Sequence, residues 1–189
     1  MKQYRTRILW LLSVLGLIVF ISYSYSLTLA KASLKELTEE STLIIVGKVA
    51  ATECVWLDKS AKVICTDLKI AIDDQLKGEK NTTIAVRQLG GKIDDFGLNI
   101  PGTPQFNIGD KAVFFLVKHQ GFYWIHSIAL GSFKIVTDEL GQQFVVNDLQ
   151  DVNLIDPATN ANIDPQTVFN RTPMTAFLKE VKSYITEIE

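Results

Sequence analysis

Between Lys111 and Lys118 the chain runs Ala112 to Val117 without one polar residue, a pattern that requires a strand buried on both faces. Elsewhere the apolar positions alternate. Leu68, Ile70 and Ile72 predict a strand with one buried face inside Lys62–Asp73, closed by Leu76-Lys77-Gly78. Ile84 and Val86 do the same in Thr82–Gln88, with Arg87 on the other side. Leu43–Trp56 is rich in β-branched residues, and Gly47 inside it marks a bulge or a close backbone approach. Phe122–Leu130 is expected to continue past Gly131 into Phe133–Val136 as one long strand with a glycine corner, followed by Gln143–Val146.

Two helices flank these strands. Ser33-Leu34-Lys35-Glu36 has the S-x-x-E form of a capping box and predicts a short helix burying Leu34 and Leu37 and ending near Ser41. Thr172-Pro173 is a start signal for a helix over 173–188, whose Met174, Phe177, Leu178, Val181, Ile185 and Ile188 recur at helical spacing. Gly90–Phe106 reads as irregular and Asn147–Asn170 as a polar surface loop. Short turns between strands, with no helices interposed, give a mainly β fold: an antiparallel sheet closed or nearly closed into a small barrel.

The first 32 residues are patterned differently. Lys2, Arg5 and Arg7 precede an apolar run from Ile8 to Ile21, and Ala30-Lys31-Ala32 ends the stretch as a small-x-small triplet. That is the order of a secretory signal helix, with cleavage expected after Ala32 and a single domain over 33–189. At 14 residues the run falls short of the ~20 that span a bilayer. The alternative is an uncleaved anchor extended through Tyr23–Ala30, the one route by which a membrane would enter the picture. Either way the protein is expected to be secreted, periplasmic or in the cell envelope.

Charge excludes one class. Residues 33–189 carry 15 Lys and Arg against 21 Asp and Glu, a net charge near −6, and no basic stripe interleaved with aromatics, so nucleic acid is not an expected partner. The two cysteines, Cys54 and Cys65, lie on strands joined by a polar stretch. With Lys59-Ser60 as a two-residue turn they face one another at disulfide distance, and the alternative is two separate buried thiols.

Reactive groups do not converge. His119 falls in a turn and His126 in the next strand, with four residues, roughly 13 Å, of strand from Phe122 to His126. In Asp73-Asp74 and Asp94-Asp95 the neighbours point to opposite faces. Asp156, Asn160, Asn162 and Asp164 alternate as oxygen donors but lack the glycine and distal glutamate of a calcium loop. No nucleophile elbow or phosphate-binding glycine loop is present. No catalytic residue, metal or cofactor is expected.

Several phrases carry a resemblance: Ile45-Val46-Gly47-Lys48-Val49, Leu76-Lys77-Gly78, Gly90-Gly91, Pro101-Gly102-Thr103-Pro104-Gln105-Phe106, Ile108-Gly109-Asp110, Phe114-Phe115-Leu116 and Leu130-Gly131-Ser132-Phe133. Over Leu34–Val146 they resemble an uncharacterised family of exported bacterial proteins. Its strand order is similar to the netrin-like and tissue-inhibitor-of-metalloproteinase family, which implies an OB-type barrel. Those inhibitors use an N-terminal cysteine on the catalytic zinc. A chain starting at Ser33 has none, so the resemblance implies the fold and not that chemistry. The expected function is an exported, non-catalytic protein-binding module that contacts another exported protein, a peptidase among them. Its anchors would be Phe96, Leu98, Ile100 and Phe106 in the Gly90–Phe106 loop. A tethered envelope scaffold is the alternative.

Overall fold

The computed structural model describes residues 27–149, 152–168 and 171–188. In chain order it contains β1 (Leu27–Ala30), α1 (Leu34–Glu40), β2 (Leu43–Asp58), β3 (Val63–Lys77), β4 (Thr83–Leu89), β5 (Gly91–Ile93), β6 (Phe96–Leu98), β7 (Lys111–His119), β8 (Phe122–Ile125), a 3-10 turn (Ile128–Gly131), β9 (Ser132–Thr137), β10 (Gln143–Val146), β11 (Val152–Ile155), β12 (Asn162–Ile163), α2 (Pro165–Val168), β13 (Thr172–Pro173) and α3 (Met174–Ile188). The expected leader helix, up to Ser26, lies outside the described residues. Among the described residues, no helix is long and apolar enough to cross a membrane.

The main sheet is ordered β13-β10-β9-β7-β2-β3-β4-β8, and β8 also pairs with β7. The pairings β7-β2-β3-β4-β8 therefore return to their start. Closure comes from β8, antiparallel to β7 from Leu116↔Ile125 to His119↔Phe122 and parallel to β4 at Val86↔Tyr123 and Arg87↔Trp124. β9 occupies the other half of the same β7 edge, from Ala112↔Lys134 to Phe114↔Ser132.

Between β8 and β9 the chain turns a corner that separates the ring from the β9–β10–β13 extension of the sheet. Ser127 and Ile128 have φ of 50° and 55°, an unfavourable region for a β-branched residue. A Cβ on Gly131 would lie 2.2 Å from the His126 carbonyl oxygen, so only glycine fits there. The Asn147 side-chain amide donates to the carbonyls of Ala129, Leu130 and Ser132, each at 3.1 Å, and pins the corner. The expected break in one long strand is present, but it begins at His126. Ring closure uses only Phe122–Ile125, and the chain needs all of 126–131 to reach the second register.

Two cores share the wall formed by β2 and β7. Leu43, Ile45, Ala112, Phe114 and Leu116 face one core, inside the ring, with Leu68, Ile70 and Val86. Ile44, Val46, Val113 and Phe115 face the other, under the helices, with Leu37, Phe133, Phe177 and Val181. This is why Ala112–Leu116 is apolar at every position: each residue is buried, in alternating directions. Gly47 sits at a register shift in β2, where a Cβ would meet Ile70 Cγ2 at 2.5 Å and the Ala71 carbonyl oxygen at 2.8 Å.

The first helix forms as its sequence predicts. Ser33 Oγ accepts from the Glu36 amide at 3.1 Å, and the Glu36 carboxylate accepts from the Ser33 amide at 2.6 Å. These bonds, the backbone one foremost, hold the Glu36 carboxyl below its usual range. At the other end Lys77 Nζ donates to the Thr38 and Glu39 carbonyls at 2.7 and 2.9 Å, satisfying helix C-terminal acceptors with a cation. In α3, Phe177, Val181 and Ile185 are buried in the core under the helices, while Ile188 stays exposed.

Two segments expected to be irregular are not. Gly90–Phe106 contains the β5–β6 hairpin, with Ile93↔Phe96 next to its turn. The expected loop over 147–170 contains β11, whose Val152 and Leu154 are buried and which pairs with β1 in parallel from Leu27↔Val152 to Ala30↔Ile155. Its four-residue alternation is short, and its partner strand lies within the stretch that reads as leader.

Candidate partner-binding surface

The four expected anchors are all half-buried, and they do not form one patch. Phe96 packs on Trp56 at the end of the β2–β3 hairpin, ring centres 5.6 Å apart, with the Lys62 ammonium 5.7 Å from its ring centre. Leu98, two residues on and directed to the same side of β6, pairs with Gly91. Ile100 lies at the β4–β8 seam, beside a cavity of about 60 Å³ lined also by Leu89, Pro104, Trp124 and Ile128. Gln88 Nε2 ties this part of the strap to the sheet through the Pro104 carbonyl at 3.2 Å. Phe106 packs on Phe114 of the ring core at 5.3 Å, beneath Lys134. The segment is thus a strap across the ring, with Phe96 packed on Trp56 and Phe106 on Phe114.

The cysteines are free, and the register explains why. Asp58 Oδ1 accepts from the Ser60 and Ala61 amides and from Ser60 Oγ, so the turn is longer than Lys59-Ser60, with Lys62 at φ 56°. Asp58 then pairs with Val63, and a shift at Trp56/Asp58 brings Cys54 opposite Thr66 and Cys65 opposite Val55. A one-residue offset puts the two thiols on opposite faces of the sheet, so the expected disulfide does not form. Cys54 Sγ sits 3.5 Å from Thr66 Oγ1. Cys65 is fully buried, and desolvation pushes its thiol pKa up, partly opposed by Arg87.

Cys65 points to the face on which the most distinctive surface is built. Cross-strand partners share a face, so Glu53, Asp67, Arg87 and Trp124 form one row and Val55, Cys65 and Leu89 the next. Arg87 makes a two-pronged pair with Asp67, Nε to Oδ1 and Nη2 to Oδ2, both at 2.6 Å. That pairing holds the guanidinium even more firmly protonated than usual. The same guanidinium lies 3.7 Å from the Phe122 ring centre. Around this clamp Leu89 and Phe122 are each 39% exposed, although both belong to paired strands. Sequence reasoning located Arg87 on the polar side of its strand but passed over Asp67, Leu89 and Phe122. The β3–β4 register that joins them was the missing signal.

The remaining candidates for chemistry stay apart. His126 Nε2 lies 3.2 Å from the Glu40 carboxylate, while His119 is at the far end of the β7–β8 hairpin, opposite Phe122. Asp73 pairs with Lys111 at 2.8 Å, and Asp74 accepts from the Gln75 amide. The Asp156 carboxylate accepts from the Ala158 and Thr159 amides of its own loop, which lowers its pKa. Among the described residues no three His, Cys, Asp or Glu side chains gather as metal ligands. No known family model matches the chain, and no curated protein matches it either.

Proposed function

We propose that this protein is an exported, non-catalytic binding module on a small OB-type barrel, which engages another exported protein through the outer face of β3, β4 and β8. The barrel reading is supported by a five-strand circuit with β4 and β8 parallel at its seam. The binding reading is carried by one observation: Leu89 and Phe122 stay well exposed around the Arg87–Asp67 clamp, on strands that fix their positions. Aromatic side chains and arginine are the groups enriched where protein interfaces concentrate their energy. Rigid strands lower the ordering cost of using them.

A non-catalytic role accords with the separation of the two histidines and with carboxylates engaged in ion pairs and turns. An exported peptidase is one partner class that the family resemblance suggests. The test is quantitative capture from envelope extracts, with partners identified by mass. The doubly substituted Leu89→Ser/Phe122→Ala protein, checked for native folding, is expected to lose about tenfold or more of a specific partner. Phe96→Ala/Ile100→Ala is expected to retain it. The opposite result would move the contact to the strap, and equal recovery by all three proteins would sink the binding reading.

A further inference from the structure

The boundary between leader and domain carries an inference of its own. Residues 27–32, on the leader side of Ala32, are built into the fold. β1 pairs with β11 over four residues, and the Lys31 amide continues the ladder to the Ile155 carbonyl at 2.8 Å. Leu29 and Ala32 pack against the helix-backed core. Leu27 and Val152 together fill the space over Gly102, where a Cβ would come within 3.0 Å of Leu27 Cδ2 and 2.9 Å of Val152 Cγ2. A chain cut after Ala32 would lack this strand. β11 would keep only its two-residue pairing with β12, and one edge of β11, above the buried Val152 and Leu154, would be left without a partner.

We infer that the leader is removed upstream of β1, between Ser26 and Leu27, and that Leu27 is the mature N-terminus. The sequence there offers what cleavage needs. Two overlapping small-x-small triplets, Ser22-Tyr23-Ser24 and Ser24-Tyr25-Ser26, end three and five residues past Ile21, whereas Ala30-Lys31-Ala32 ends eleven residues past it. A leader peptidase works at the membrane surface, so both are better placed than Ala30-Lys31-Ala32, and of the two the cut after Ser26 leaves no tail ahead of β1. The mature chain of 163 residues starts with the strand that closes the β11 edge.

The test expresses the full chain in an exporting host and measures the intact mass and N-terminal peptide of the exported protein. A start at Leu27 supports the assignment; a start at Ser33, a retained Met1 or any other start overturns it. Two variants sharpen the result. Ser24→Tyr/Ser26→Tyr puts bulky residues at the small positions of both upstream triplets and is expected to accumulate precursor 26 residues longer than the mature chain. Ala30→Tyr, at an exposed position of β1 that would obstruct only cleavage after Ala32, is expected to be processed normally. Block by Ala30→Tyr with normal processing of Ser24→Tyr/Ser26→Tyr would overturn the inference.

Discussion

The two halves of the β7 edge lead to two unlike environments. Toward β9 the sheet carries α1 and α3 on one face, and that face is sealed: Leu37, Phe115 and Val181 have no exposed surface. Toward β8 the sheet curls back to β4, fills its inside with Phe114, Leu116 and Val86, and leaves its outside open at Leu89 and Phe122. A face roofed by helices needs apolar side chains, whereas the strands that curl back need them only on their inner face. The outside of the ring is thus free to be shaped for contact, and the helix-backed side is not. Substitutions on the two sides should separate stability from binding.

The largest effect is expected at Phe133, whose ring lies 5.6 Å from Phe115 and 4.7 Å from Phe177. Phe133→Ala should lose about 3–5 kcal/mol in denaturant unfolding, as buried aromatic truncations do. A loss below about 1 kcal/mol would mean that the helix-backed core is not the main source of stability. Next is Gly47→Ala in the shared wall. Its methyl would meet Ile70 and the Ala71 carbonyl, and the expected cost is about 1–3 kcal/mol.

Smaller again is Ser33→Ala, which removes the cap of α1 and should cost about 1 kcal/mol at neutral pH. The Glu36 carboxyl is held below its ordinary value, so its contribution is present above that value, 4.5, and is lost as pH falls through the lower folded value. The gap between wild type and Ser33→Ala should therefore narrow on acidification; a gap that widened would contradict the capping box. The smallest stability effect is expected for Phe122→Ala, within about 0.5 to 1 kcal/mol, because the ring is partly exposed and its cation–π contact with Arg87 is modest. A loss like that of Phe133→Ala would show that the open face supports the fold and is no surface held for a partner.

Much of this arrangement is local enough to read in one dimension. The capping box of α1, the amphipathic stripe of α3, the doubly buried run of β7 and the close approach at Gly47 each depend on a few neighbouring residues. The contact face was less legible. Arg87 was visible on the polar side of its strand, but Asp67, Leu89 and Phe122 come from three separate stretches of chain and meet only through strand pairing.

From its residue pattern alone the chain determined a mainly β body, a helix at each end of the strands and which positions face inward, since periodicity of 2 or 3.6 is set by backbone geometry. The tertiary structure decided the rest. One extra residue in the β2–β3 turn region moved Cys54 opposite Thr66, and pairing with β11 turned Leu27–Ala30 from apparent leader into a strand. Both outcomes depend on register between distant segments, where a one-residue slip exchanges the faces of a strand and no local pattern records which partner it finds.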